Sequence, residues 1–120
     1  MNASQIISQY AQKLGFPADA ALAEVKKIMD SPDGHLLKEN DSVFVLERLD
    51  KGVSAIHLFT ADDPQTLATS VQSALKQLKD AGISKIYGEQ ENKDLVDILG
   101  QLGIEVGKSD LPDYAWSATI

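Results

Sequence analysis

The first thirty residues place apolar side chains at the spacing of a helix. Ile6, Tyr10 and Leu14 recur every four residues, and Ser4 stands where it can cap the start of that helix. A Gly-Phe-Pro corner separates this segment from residues 18–29, where apolar residues again follow a helical period. The pattern predicts two amphipathic helices at the start of the chain.

The middle of the chain changes to a period of two, which is typical of strands. Residues 42–49 predict a strand with Val45 and Glu47 on the same face. An Asp-Lys-Gly loop then predicts a hairpin into residues 53–60. Apart from His57 and one serine, that returning strand is apolar on both faces, as expected for a central strand.

The second half of the chain alternates between helical and strand patterns. Asp63 can cap a long helix that has Pro64 at its first position, and a strand follows at residues 83–88. Asn92 is the predicted cap of the next helix. Each of these two helices is followed by a glycine, which is the usual helix stop.

The last residues alternate again and predict a final strand, with Tyr114 and Trp116 on one face. With a short strand at residues 35–38, the order is α-α-β-β-β-α-β-α-β. This order predicts an α/β (α+β) fold with a mixed, mostly antiparallel sheet flanked by helices. No repeat or linker interrupts the chain, so residues 1–120 predict a single domain.

Composition argues against several partners. The formal net charge is −7, whereas binding to a nucleic-acid backbone requires clustered Lys and Arg. The chain has no cysteine and its two histidines lack ligand spacing, so we expect no metal site. We also expect no membrane span, no secretion signal at the N-terminus and a cytoplasmic location.

The order of elements and residues 92–106, Asn-Lys-Asp-Leu-Val-Asp-Ile-Leu-Gly-Gln-Leu-Gly-Ile-Glu-Val, resemble the GNAT superfamily of acyl-CoA-dependent N-acetyltransferases. In that family a late helix begins with Asn and ends in Leu-Gly-Phe-Glu. Asn92 and Gly103 fall at the family spacing, and Ile104 stands for the usual aromatic residue. The resemblance covers most of the chain and implies a GNAT-like fold.

Two departures from the family concern its chemistry. The glycines that let backbone N–H groups meet the coenzyme diphosphate would fall near Asp63, Gln65 and Leu67. Pro64 has no N–H, and the carboxylates of Asp62 and Asp63 would each repel a phosphate charge by about 1–4 kcal/mol.

The second departure lies in the late helix. The tyrosine that often serves as general acid in this family would fall at Leu99, which has no proton to donate. A resemblance in fold alone carries no activity, and two parts of the expected site are altered. These changes favour a protein that has kept the scaffold and lost the cofactor.

The favoured hypothesis is therefore a non-enzymatic structural or interaction protein on a degenerate acetyltransferase-like scaffold, without a cofactor. The chain resembles small internal or ejected components of tailed-phage particles, which makes the virion a second expected location. Its partners would be proteins, either copies of itself in a homo-oligomer or parts of a virion assembly. The interface candidates, if exposed rather than in the core, are Ile6, Tyr10, Tyr114 and Trp116.

The alternative hypothesis is an active acetyl-CoA-dependent N-acetyltransferase with an atypical phosphate loop. His57 or Glu47 would then be the general base, and His57 in that role would need a carboxylate partner such as Glu47 on the neighbouring strand. A third hypothesis is an acidic inhibitor of a host nucleic-acid enzyme, which requires the acidic residues to cluster on one face.

Overall fold

The computed structural model describes the backbone of residues 1–120 and every side chain except that of Glu91. The helices are α1 (Ala3–Lys13), α2 (Ala18–Met29), α3 (Pro64–Asp80) and α4 (Lys93–Gln101), and a 3-10 turn (Gln90–Asn92) leads into α4. The strands are β1 (Gly34–Glu39), β2 (Ser42–Asp50), β3 (Val53–Thr60), β4 (Lys85–Gly88), β5 (Val106–Lys108) and β6 (Trp116–Thr119).

All six strands form one sheet in the order β1-β2-β3-β4-β6-β5. Only the β3–β4 pair is parallel, and the other four pairs are antiparallel. The predicted mixed, mostly antiparallel sheet with flanking helices is confirmed. The predicted order differs at the end, because two strands follow the last helix instead of one: Val106–Lys108 is a separate strand that pairs with β6.

The two parallel strands stay paired for only three residues. Val53–Ala55 lies beside Lys85–Tyr87, after which β4 ends at Gly88 while β3 continues to Thr60. In the unpaired part, the backbone N–H of Leu58 donates to the side-chain Oδ1 of Asn92 instead of to a strand. The sheet therefore opens between β3 and β4, toward the N-terminus of α4.

The sheet separates two apolar clusters. The larger lies under α3 and α4 and includes Phe44, Ile56 and Leu99. The smaller lies under α1 and α2 and includes Ile6 and Val45. Because side chains alternate along β2, Val45 and Phe44 point to opposite faces, as the period of two predicted.

Local signals fixed the limits of α3. Asp63 caps its N-terminus by accepting the N–H of Thr66 at 2.8 Å, and Pro64 occupies the first helical position. Gly82 follows the helix with φ of 87°, a value that suits glycine. These predictions are confirmed.

The predicted cap at Ser4 is wrong, and the one at Asn92 is right in position only. Ser4 lies inside α1, and Asn2 caps that helix through a reciprocal pair of hydrogen bonds with Gln5. Asn92 precedes α4 as predicted, but its side chain makes no cap hydrogen bond, since it is bonded to Leu58 of β3.

Candidate functional site

A cavity of about 560 Å³ lies between the α1–α2 pair and the sheet, which we call the helix-pair cavity. Strands β2 and β3 contribute Val45, Glu47 and His57 to its wall. Glu89 and Tyr114 border it from the loops that follow β4 and precede β6. The four titratable side chains among these residues therefore lie around one cavity, at the point where β3 and β4 separate.

His57 and Glu47 are diagonal neighbours on adjacent strands. In the β2–β3 register His57 lies opposite Val45, and Glu47 lies opposite Ala55. Such diagonal positions are about 7–8 Å apart, within reach of long side chains. The structure therefore brings the two predicted catalytic residues to one face and one cavity, and both are half-buried there.

Tyr114 is a functional candidate that the sequence placed only among possible interface residues. Its ring contacts that of Tyr87, with 5.8 Å between the centroids. Burial raises the pKa of Tyr114, and the charges of Glu47, Glu89 and Asp113 raise it further. Tyr114 therefore keeps its proton at neutral pH and can donate a hydrogen bond into the helix-pair cavity.

The prediction that Tyr114 and Trp116 share one face is wrong. Trp116 starts β6, packs in the larger cluster under α3 and α4, and donates its Nε1–H to the carbonyl of Glu89 at 3.0 Å. Tyr114 precedes the strand and packs on Tyr87, which alternates with the core residue Ile86 and so faces the other side. The loop before β6 breaks the alternation that the sequence suggested.

Three of the four interface candidates are buried. Ile6 is 0% exposed, Tyr10 is 3% exposed and Trp116 is 6% exposed, so each belongs to the core. The exposure that an interface role required is absent from these three side chains. Leu99, at the position of the family's tyrosine, is also fully buried.

A second cavity of about 570 Å³, which we call the α3–α4 cleft, lies between the C-terminal half of α1, the start of α3 and one side of α4. Its acidic lining residues are Asp62, Asp94 and Asp97, and Lys13 contributes a positive charge. Tyr10 lines both this cleft and the helix-pair cavity. The ring of Tyr10 is therefore part of the wall between the two spaces.

The start of α3 offers little to an anion. Asp63 accepts both the backbone N–H and the hydroxyl of Thr66, and Pro64 has no N–H. The bond from the Thr66 N–H is the main reason why the pKa of Asp63 is lowered, with a smaller contribution from the N–H of Gln65. These groups do not fit a coenzyme diphosphate, which needs free N–H donors at a helix N-terminus.

Asp62 has a structural role that its position in the sequence did not reveal. Its carboxylate accepts hydrogen bonds from the hydroxyls of Ser42 at 2.6 Å and Ser70 at 2.9 Å, and from the N–H of Asp41 at 3.0 Å. The loop between β3 and α3 is thereby tied to the β1–β2 hairpin and to α3. Asp62 thus brings a negative charge to the cleft while holding this loop in place.

Among the described residues, no helix is long and apolar enough to cross a membrane. The described side chains also include no group of three or more His, Asp or Glu that could hold a metal ion.

The most informative comparisons are with solved structures. An acetyltransferase of the GNAT family from Staphylococcus aureus Mu50 matches with a TM-score of 0.64 at 15% identity, covering 99% of this chain and 95% of that one. The fold is that of the GNAT acetyltransferases. No protein-family model and no curated protein matches the sequence, so the GNAT assignment is one of fold.

Two further GNAT-fold neighbours have named activities. The ribosomal-protein-S18-alanine N-acetyltransferase from Escherichia coli matches with a TM-score of 0.55 at 11% identity, covering 99% of this chain and 86% of that one. Campylobacter jejuni N-acetyltransferase PseH, solved in complex with acetyl coenzyme A, matches with a TM-score of 0.53 at 11% identity, covering 100% and 92%.

Proposed function

We propose that this protein is an N-acyltransferase that transfers an acyl group from a thioester donor of the acetyl-CoA type to a primary amine. The observation that carries the proposal is the opening between β3 and β4, with Glu47 and His57 in the cavity beside it. The named neighbours support it, because each is an acetyltransferase on the same fold and one was solved with acetyl coenzyme A.

The side chains in the helix-pair cavity can perform the proton transfers of this reaction. A primary amine is an ammonium ion at neutral pH and must lose a proton before its nitrogen can attack a carbonyl carbon. Glu47 or His57 accepts that proton, directly or through one water molecule. Tyr114 keeps its own proton and can donate a hydrogen bond to a substrate in the same cavity.

Attack by the amine nitrogen on the acyl carbon of the thioester forms the amide bond and breaks the C–S bond. The thiolate takes up a proton and leaves as a free thiol, and one proton is released to solvent overall. The start of α3 does not fit a diphosphate, so we assign no phosphate contact to Asp63, Pro64 or Gln65. The donor must therefore derive its affinity from parts of the molecule other than the diphosphate.

The test is release of free thiol from acetyl-CoA in the presence of a panel of primary amines. Because the chain contains no cysteine, a thiol reagent detects only the product. We expect amine-dependent release that falls by about 10²–10⁴-fold when both Glu47→Gln and His57→Gln are present. The control is Glu105→Gln, an exposed acid outside both cavities. Absence of amine-dependent release with the whole panel contradicts the proposal.

A second candidate is a non-catalytic protein that binds other proteins through the same scaffold. The capped start of α3 and the leucine at position 99 favour it, since both replace groups that an acetyltransferase uses. Light scattering with and without acetyl-CoA tests this candidate, which predicts a defined oligomer or complex and no response to the coenzyme. No comparison supports a role in a virion, so the virion location stays a prediction. The cytoplasmic location also stays a prediction.

A further inference from the structure

We propose that Lys27 is a site of self-acylation, where the acyl group of a bound thioester donor is transferred to an amine of the chain itself. This inference rests on the proposed function for the donor and for the base. It adds an acceptor that belongs to the protein, so the modified residue can be identified in the protein without knowledge of any external amine.

Lys27 lies on the side of α2 that lines the helix-pair cavity. The polar residues that line the cavity from α2 and from the turn after it are Glu24, Lys27 and Ser31. Their spacing of three and four positions places them on one side of the helix. The side chain of Lys27 is exposed, and its four-carbon stem is flexible, so its amine can move between solvent and the cavity.

The cavity connects this amine with the groups that the reaction requires. Glu47 and His57 line it from the sheet. Asn92 and Tyr114 line it near the opening between β3 and β4, where we place the acyl group of the donor. All of these groups share one space of about 560 Å³. A tethered amine in such a space acts at an effective concentration of about millimolar or more, without the loss of freedom that a separate amine undergoes on binding.

Lys26, the neighbouring lysine, lies in a different environment. It is not among the residues that line the helix-pair cavity, and its ammonium forms an ion pair with Asp30 at 2.8 Å. The hydrogen bond to Asp30 raises the pKa of Lys26, and the charge of Asp30 raises it further, so the nitrogen keeps its proton. Among the described side chains, no ion pair includes Lys27. The two adjacent lysines therefore differ in access to the cavity and in the ease of losing a proton to become a nucleophile.

The reaction at Lys27 follows the same steps as transfer to a separate amine. Its ammonium loses a proton to Glu47 or His57, directly or through one water molecule. The nitrogen then attacks the acyl carbon, the amide bond forms and the C–S bond breaks. The thiolate takes up a proton and leaves as a thiol, and one proton is released to solvent overall.

The first test is incubation of the full chain with acetyl-CoA and no added amine, followed by mass spectrometry of its peptides. Fragment ions distinguish Lys26 from Lys27. We expect the initial rate of acetylation at Lys27 to exceed that at Lys26 by at least about tenfold, whereas the two rates should be similar in denaturant. Equal rates in the folded protein overturn the proposal, and so does faster acetylation of Lys13, which lines the α3–α4 cleft.

The release of thiol gives a second test. Without an added amine, the protein should release about one equivalent of thiol for each chain, as a rapid phase. Lys27→Arg keeps the positive charge and removes the acceptor, so it should abolish this phase, whereas Lys26→Arg should retain it. Both positions are exposed on α2, so we expect both variants to fold. A rapid phase that persists in Lys27→Arg overturns the proposal.

The base and the tether can be tested separately. Glu47→Gln combined with His57→Gln should slow acetylation of Lys27 by at least about tenfold, whereas Glu105→Gln should not change it. The rate for each chain should be independent of chain concentration, because each cavity contains its own acceptor. A rate that rises in proportion to chain concentration overturns the proposal, and so does an unchanged rate at Lys27 in the folded double variant.

The outcomes separate this inference from the proposed function. Selective acetylation of Lys27 with no transfer to any added amine leaves the inference standing and overturns the enzyme that acts on a separate amine. Transfer to added amines with Lys27 unmodified overturns the inference and leaves that enzyme standing.

Discussion

The hydroxyl of Tyr10 donates a hydrogen bond of 2.7 Å to the carboxylate of Asp94, two residues that lie 84 positions apart. This bond joins α1 to the first turn of α4. The ring of Tyr10 also packs edge-on against Phe59 of β3, with 6.1 Å between the centroids. The contact between α1 and α4, which lie on different faces of the sheet, thus positions Tyr10, whose side chain borders both cavities.

Replacing Tyr10 by Phe keeps the ring and removes the bond to Asp94. We expect the free energy of unfolding to fall by about 1.5–3 kcal/mol, the usual range for a hydrogen bond to a charged group. Chemical denaturation followed by the fluorescence of Trp116 measures this change. Tyr114→Phe is the control, because the described side chains include no hydrogen-bond partner for the Tyr114 hydroxyl, and it should leave the stability almost unchanged.

The same bond predicts a dependence of stability on alkaline pH. Burial raises the pKa of Tyr10, and the hydrogen bond to Asp94 raises it further. A group whose pKa is higher in the folded state stabilises fully below its unfolded pKa, about 10 for tyrosine, and less as the pH rises above it. The stability advantage over Tyr10→Phe should therefore be constant from pH 7 to 9 and shrink above about pH 10. A constant difference up to pH 11.5 contradicts this assignment.

Short-range signals predicted most of the elements, and long-range contacts explain what they missed. The cap at Asp63 depends on residues within three positions, so the sequence alone indicates it. The side chain of Asn92 has the spacing of a cap but bonds to Leu58, which lies 34 positions away. The bonds of Asp62 and of Tyr10 likewise join residues that no local pattern relates, because the sheet topology first brings them together.

The bond between Asn92 and Leu58 predicts a local effect at the opening of the sheet. Asn92 is 3% exposed, so Asn92→Ala leaves the Leu58 N–H buried without an acceptor. The expected cost is about 1–3 kcal/mol. Hydrogen exchange at the Leu58 amide should become faster, whereas exchange at the Phe44 amide, in the β1–β2 ladder, should become faster only as far as global stability falls. Equal protection of the Leu58 amide in the unmutated protein and in Asn92→Ala would show that this N–H donates to another acceptor.

The closed start of α3 predicts which parts of the donor matter. If the enzyme gains nothing from the diphosphate, kcat/KM with acetyl-pantetheine should lie within about tenfold, or 1.4 kcal/mol, of the value with acetyl-CoA. Asp63→Ser keeps a capping oxygen and removes a charge. It should therefore raise kcat/KM for acetyl-CoA by roughly fivefold and leave kcat/KM for acetyl-pantetheine unchanged. Asp80→Ser, at the far end of α3, is the matched control. A loss of more than about a hundredfold with acetyl-pantetheine indicates that the diphosphate is bound elsewhere on the chain.

Two glycines near α4 should respond in opposite ways to a methyl group. The backbone of Gly88 lies against the indole ring of Trp116, and a Cβ there would overlap the ring atoms Cζ2 and Cε2. Gly88→Ala must therefore displace a buried tryptophan, at an expected cost of about 1–3 kcal/mol or more, with a shift in the emission of this single tryptophan. Gly100 lies within α4 with open space at its Cβ position, so Gly100→Ala should stabilise by about 0.5–1 kcal/mol. Trp116 also donates a hydrogen bond to the carbonyl of Glu89, which borders the helix-pair cavity, so its position affects this edge of the site. A Gly88→Ala protein with native stability and native tryptophan emission would contradict the packing described here.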